Sequence, residues 1–142
     1  MKLRLITLSI LCMTFIINKA TAKTDIAGQE AIRQALAHKR QADVLLETTE
    51  IIVEDATNRY EHAIESVNKG KKVKNIENTE KRLERAKKNR ENAKSVVSNR
   101  RVELNVAITL NCPNNRDYLK AAIKGKSNSA FEYQLKRCYS YK

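Results

Sequence analysis

Asn68-Lys69-Gly70-Lys71-Lys72-Val73-Lys74-Asn75 is the stretch whose reading decides the fold. It separates two long segments of helical periodicity. Within it, Gly70 supplies the left-handed conformation that ends a helix, and Asn75 is suited to capping the next one. The segment therefore reads as the bend of an antiparallel helical hairpin, with four lysines and no acid at the turn.

Upstream, residues 26–67 contain no proline and one glycine, Gly28, and apolar or small residues recur at alternating steps of three and four. One row runs Ala31, Ala35, His38, Ala42, Leu45, Thr49, Ile52, Ala56, Arg59, Ala63; beside it lie Ile32, Leu36, Leu46, Val53, Tyr60, Ile64 and Val67. Such steps place the apolar side chains on one side of a helix. At about 1.5 Å per residue that helix reaches roughly 63 Å, long for a compact domain, which points to coiled-coil packing. Downstream, Ile76, Thr79, Leu83, Ala86, Arg90, Ala93, Val97, Arg100, Leu104 and Ala107 form the matching row. Between Glu77 and Asn92 only Leu83 and Ala86 can bury appreciable surface, so packing is expected to be weakest near the turn. Val96, Val97, Val102, Leu104, Val106, Ile108 and Leu110 are expected to restore the seam further on.

The two arms differ in charge. Residues 26–68 carry four basic and eight acidic side chains, a net −4, and residues 69–101 carry thirteen basic and four acidic, a net +9. Opposite arms prefer each other to their own kind, as flanking charges choose partners in coiled coils. Each exposed pair stabilises by at most about 1 kcal/mol, so the asymmetry bears on pairing more than on stability.

Beyond the hairpin, Asn111-Cys112-Pro113-Asn114-Asn115 stops the second helix, because Pro113 cannot continue it and the asparagines suit a turn and a new cap. A short helix over Arg116–Lys124, closed by Gly125, offers Tyr118, Leu119, Ala122 and Ile123 on one side. Ser129-Ala130-Phe131-Glu132 matches a capping box for a last helix that buries Phe131, Leu135 and Cys138 or Tyr139. Tyr118, Phe131, Tyr133, Tyr139 and Tyr141 crowd the C-terminal part, whereas Tyr60 stands alone on the hairpin. In an antiparallel hairpin the residues near Ile26 and Leu110 share an end, so the C-terminal helices are expected to fold there and form the compact core. The expected architecture is all-α: a coiled-coil-like hairpin over 23–110 with its turn at 68–75, and a short helical subdomain over 111–142.

At the N-terminus, Lys2 and Arg4 precede an uncharged run of thirteen residues, Leu5 to Ile17, and Ala20-Thr21-Ala22 has the small residues a signal peptidase reads. The run is short of the roughly 18 to 20 residues that span a bilayer. A secretory signal over 1–22 is the expectation, with extracellular or periplasmic delivery; no Asn-x-Ser/Thr sequon chooses between them. Cys12 leaves with the signal, and the remaining pair, Cys112 and Cys138, is expected to form a disulfide, with free buried thiols as the alternative. Closing that loop stabilises by roughly 3 to 4 kcal/mol in the chain-entropy account.

The formal net charge is +12, or +9 once Lys2, Arg4 and Lys19 are removed with the signal. That balance favours an acidic protein, anionic lipid, lipopolysaccharide or sulfated glycan as partner, and export disfavours intracellular nucleic acid. No aromatic lies between Tyr60 and Tyr118, so base stacking is not available to the basic arm. Enzymatic chemistry is not expected. His38 and His62 stand roughly 36 Å apart on one helix, the serines lack a Gly-x-Ser-x-Gly context, and no glycine-rich phosphate loop exists. Two cysteines alone make no zinc site, and no cofactor is implied.

The candidate contact surface is Lys69, Lys71, Lys72 and Lys74 at the turn, continuing into Lys81, Arg82 and Arg85, where clustered cations attract a polyanion in a salt-dependent way. The competing reading is that the lysines keep a loop solvated while the arginines pair with glutamates of the first arm. Arg137, Tyr139 and Tyr141 form a second candidate, since tyrosine and cationic side chains together suit recognition, with core coverage as the competing role. Self-association through the seam of the first arm is a further expectation. The plan of a short apolar N-terminal segment, a long helix and cysteines toward the C-terminus is similar to that of the phage inner-membrane spanins. That resemblance implies the alternative of a membrane-anchored envelope spacer with Leu5 to Ile17 retained.

Overall fold

The computed structural model describes residues 2–71, 73 and 75–140, with side chains from residue 25 onward. Among the described residues four α-helices follow in order: α1 (Lys2–Asn68), α2 (Ile76–Asn111), α3 (Arg116–Lys124) and α4 (Asn128–Arg137), with a 3-10 turn, Pro113–Asn115, before α3. The chain is all-α, and α1 and α2 pack against each other as a hairpin. The start of α2 and both bounds of α3 fall where glycine, proline and asparagine punctuation places them. The apolar run Leu5 to Ile17 and the processing site at Ala22 lie outside the residues whose side chains are described.

The turn closes α1 with a Schellman motif. Gly70 has φ +74°, its N–H donates to the Val67 carbonyl at 2.8 Å, and the Lys71 N–H donates to the Ser66 carbonyl at 3.0 Å. Asn75 also lies in the left-handed region, at φ 90°, which asparagine tolerates better than most residues. Its backbone carbonyl accepts from the Asn78 and Thr79 N–H groups at 3.0 and 3.2 Å, starting α2.

The chain falls into two compact units, residues 1–35 with 104–142, and residues 36–103. In the second unit the seam of α2 is the row read from sequence: Leu83, Ala86, Ala93 and Val97 are buried, with Thr79, Arg90 and Arg100 half-buried between them. The seam of α1 differs from the expected row. Ala42, Thr49 and Ala63 are buried and Leu46, Val53, Ala56 and Tyr60 half-buried, whereas His38, Leu45, Ile52 and Arg59 are exposed. At 100° per residue the 42/49/56/63 and 46/53/60 rows lie close together, while the 38/45/52/59 row sits on a flank. The small row admits α2 closely and leaves the larger aliphatics outside.

The first unit holds the larger side chains of the core. Ile32, Ile108, Leu119, Leu135 and Cys112 are fully buried, with Leu104 and Phe131 beside them. Cys112 and Cys138 form the expected disulfide, with Cα atoms 5.1 Å apart, tying the end of α2 to the end of α4. Several details depart from the sequence expectation. Among the apolar residues expected to restore the α2 seam, Val106 and Leu110 in this unit, and Val96 and Val102 in the other, are exposed. Only Val97, Leu104 and Ile108 fall on the inward side. Tyr118 is also exposed, one helical step away from buried Leu119.

The cap of the last helix lies two residues before the expected one, Ser129. Ser127 is the N-cap, its Oγ accepting from the Ala130 N–H at 3.3 Å. Glu132, thereby two residues beyond the capping position, instead receives both guanidinium arms of Arg33 on α1, Nε at 3.1 Å and Nη2 at 2.8 Å. Asn115 does not cap α3 with its side chain; it is buried, and its Nδ2 donates to the Gln134 carbonyl at 2.8 Å and to Gln134 Oε1 at 3.0 Å. Gly125 closes α3 at an ordinary helical φ of −71°, and the left-handed residue is Lys126, at φ 55°.

Candidate functional site

The basic arm does not present all its charge to solvent equally. Lys69 pairs with Glu65 on α1 and Lys81 with Glu77 on α2, each one turn away. Further along α2, Lys87 pairs with Glu84 at 3.2 Å, Lys94 with Glu91 at 3.0 Å and Arg100 with Glu103 at 2.6 Å. Each of these runs along α2 itself, as i,i+3 and i,i+4 neighbours on a helix do. None of these contacts joins the two arms. Glu91 titrates below the usual carboxylate range because Lys94 and Arg90 donate to it. Lys71 is exposed and makes no ion pair with a described residue. Lys72 and Lys74 lie outside the described residues.

Arg82 and Arg85 are different. Both are exposed, and neither hydrogen-bonds or ion-pairs with any described residue. They border an open groove of about 280 Å³ in the second unit, lined by Ile52, Asp55, Ala56 and Arg59 of α1 and by Thr79, Arg82, Arg85, Ala86 and Asn89 of α2. The groove follows from composition: alanine at positions 56 and 86 leaves room that larger seam residues would fill. Of its three arginines, Arg59 is held by Asp55 at 2.9 Å, which leaves the groove a surplus of positive charge on Arg82 and Arg85.

Beside the groove, α1 carries an apolar flank that the sequence reading placed partly inside. Leu45 (47% exposed), Ile52 (51%), Val44 (61%) and Ile51 (62%) are open to solvent. With Thr48 they stand at i, i+1, i+4, i+7 and i+8, on one side of the helix. Glu47, Glu50 and Glu54 lie beyond this flank.

The second candidate group belongs to the first unit. The Arg137 guanidinium lies over the Tyr133 ring, 5.8 Å from its centroid. Tyr139 is half-buried and its hydroxyl fully so, without a hydrogen-bond partner among the described residues. Burial, and the nearby Asp25 carboxylate, push its pKa up. Tyr141 lies outside the described residues. The Arg33–Glu132 pair holds the Glu132 carboxyl below its usual range, chiefly through the hydrogen bonds from Arg33, with partial burial opposing.

His38 and His62 are both exposed. Among the described residues no group of histidine, cysteine and carboxylate side chains could hold a metal ion, and no helix is long and apolar enough to cross a membrane. Comparison with protein families, with curated proteins and with solved structures finds no match to this chain. The residues that sequence reasoning missed are Ile52, Leu45 and Asn89. Their seven-residue spacing to the next flank position was visible, but the choice between two adjacent apolar rows was not.

Proposed function

We propose that the chain is a secreted, non-enzymatic helical interaction protein, which binds a protein or an anionic surface through its exposed helix faces and its basic turn. The observation that carries this reading is the inverted distribution of side chains in the second unit. Alanine and threonine occupy much of the seam, while Val44, Leu45, Ile51 and Ile52 stay outside, and Ile52 lines the groove bordered by Arg82 and Arg85, which have no partner among the described residues. Contiguous exposed aliphatic surface costs solubility and marks contact sites. Unpaired cations add a salt-dependent attraction for negative partners. Secretion is supported by the signal pattern of residues 1–22 and by the Cys112–Cys138 bond, since disulfides persist in oxidising compartments.

Lys69, Lys71, Lys72 and Lys74 changed together to Glu test the role of the turn. Capture of a partner from the native extracellular or periplasmic fluid should be lost at low salt, with helicity retained by circular dichroism. Wild-type capture should weaken as salt is raised. Capture by the variant equal to wild type moves the contact off the turn. N-terminal sequencing of the exported chain tests secretion: a start at Lys23 is expected, and a chain that retains Leu5 to Ile17 overturns it.

A further inference from the structure

The groove in the second unit combines two features that a solvated charge run lacks. Arg82 and Arg85 stand three residues apart on α2, so their guanidinium groups can converge on one anion. Neither is neutralised from within the described structure. Guanidinium forks suit phosphate and carboxylate oxygens better than a lysine ammonium does. The apolar part of the lining is Ala86, Ala56 and the half-exposed Ile52, and the one carboxylate there, Asp55, is held by Arg59 at 2.9 Å. One heptad from Ile52 on α1 lies Leu45, and one heptad from Asn89 on α2 lies Val96, both exposed and both directed away from the arginines along the hairpin. A heptad is about 10 Å of helix. A charged end is thus followed by an apolar track.

We propose that this groove binds a single-chain amphiphilic anion, an alkyl phosphate or fatty carboxylate, with its headgroup at Arg82 and Arg85 and its chain over Ile52, Leu45 and Val96. The proposal rests on the reading of the helix faces as contact surfaces and names the ligand class of one of them. Size favours this occupant. A standard protein interface covers roughly 800 Å² per partner, whereas three half-exposed aliphatics, two alanines and two arginines offer a narrower strip. A bare anion would gain little from two exposed arginines, so headgroup and chain are both required.

The test uses decyl phosphate below its micelle concentration, titrated into the oxidised full chain with methyl-labelled isoleucine, leucine and valine followed by NMR. Shifts should concentrate at Ile52, Leu45 and Val96. Affinity should rise about two-fold per methylene from octyl to decyl phosphate, half the effect of full burial, because the groove is open on one side. Inorganic phosphate and an uncharged decyl glucoside should each bind at least about ten-fold more weakly. Arg82→Gln with Arg85→Gln should lower decyl phosphate affinity about ten-fold while helicity is unchanged, and the Ile52→Ser variant should abolish the chain-length dependence. Affinity independent of chain length, shifts spread over both units, or equal binding by the arginine variant overturns the proposal. So does a dimer in sedimentation that excludes decyl phosphate, which would assign the face to a second copy. The turn variant separates the two readings. Decyl phosphate binding retained by the lysine-to-glutamate chain while capture is lost assigns capture to the turn and leaves the groove intact; loss of decyl phosphate binding by the arginine variant alone, with capture intact, shows that the two sites act independently.

Discussion

Replacing Gly28 with Ala should reverse the usual sign of a glycine-to-alanine change in a helix. Within a helix that change ordinarily stabilises by about 1 kcal/mol, because alanine loses less backbone freedom on folding. Here a Cβ would lie 2.6 Å from Tyr139 Oη, 2.9 Å from Asn111 Oδ1 and 3.3 Å from Asn111 Cβ. Asn111 is not free to retreat without loss, since its Nδ2 donates to the Ala107 carbonyl at 2.8 Å. Overpacking of this kind costs about 1 to 3 kcal/mol, so the net effect is a destabilisation of about 0 to 2 kcal/mol. The nearest atom can be removed. Tyr139→Phe deletes a hydroxyl that is buried without a described partner, which alone should be neutral or stabilising by up to about 1 kcal/mol. In the double variant the alanine should recover only part of its helical advantage, because Asn111 Oδ1 still lies 2.9 Å from the added Cβ; the coupling energy is expected to be about 1 kcal/mol. Urea unfolding of the four oxidised chains, followed by far-UV circular dichroism at neutral pH, measures the cycle. A Gly28→Ala chain more stable than wild type, with no coupling to position 139, would refute the close approach of α1 to Tyr139.

The Glu132 carboxyl is held below its usual range, so its contribution is present above the ordinary glutamate value and is lost as pH falls through the lowered one. Glu132→Gln should flatten stability below about pH 4 while costing less than about 1 kcal/mol at neutral pH, because both partners are more than a third exposed. The Tyr139 hydroxyl is raised, so its contribution is intact below the ordinary tyrosine value and falls as pH climbs above about 10; Tyr139→Phe should remove that alkaline loss in a pH series of melts. Reduction of Cys112–Cys138 should lower stability by roughly 3 to 4 kcal/mol in paired unfolding curves with and without reductant. Gly125→Ala should be tolerated or stabilise by up to about 1 kcal/mol, since its Cβ would meet Ala121 O at an ordinary 3.5 Å and its φ is −71°; a marked loss in thermal unfolding would show that the conformation differs.

The parts of the fold legible in the sequence are those marked by punctuation or by a single apolar row. Gly70 and Pro113 announce the ends of α1 and α2, and α2 has so few apolar residues near the turn that only one seam could be drawn through Leu83, Ala86 and Ala93. On α1 two adjacent rows compete, and periodicity does not say which of them the other helix prefers. Close approach over alanine decided it, leaving Leu45 and Ile52 exposed. The Arg33–Glu132 and Asn115–Gln134 contacts were hidden for another reason. They join side chains 99 and 19 residues apart, and local signals gave Glu132 and Asn115 capping roles that the fold assigns elsewhere. For the candidate groove, Arg82 and Arg85 were visible as charge. Their lack of partners depended on which way every neighbouring acid turned.

The alanines and threonines of the second unit have one more implication. Ala42, Thr49, Ala56 and Ala63 on α1, and Thr79, Ala86 and Ala93 on α2, repeat at intervals of seven. Sliding one helix past the other by a heptad, about 10 Å, would set small side chains against small side chains again. Such a seam works as a track without graduations, and the stop is the turn, where Gly70 and Asn75 both take left-handed conformations. A heptad inserted into each arm together would keep small side chains facing small ones along the 42/49/56/63 and 79/86/93 rows. Length is therefore the property of this hairpin most open to change, and the spacing of the turn the one least so.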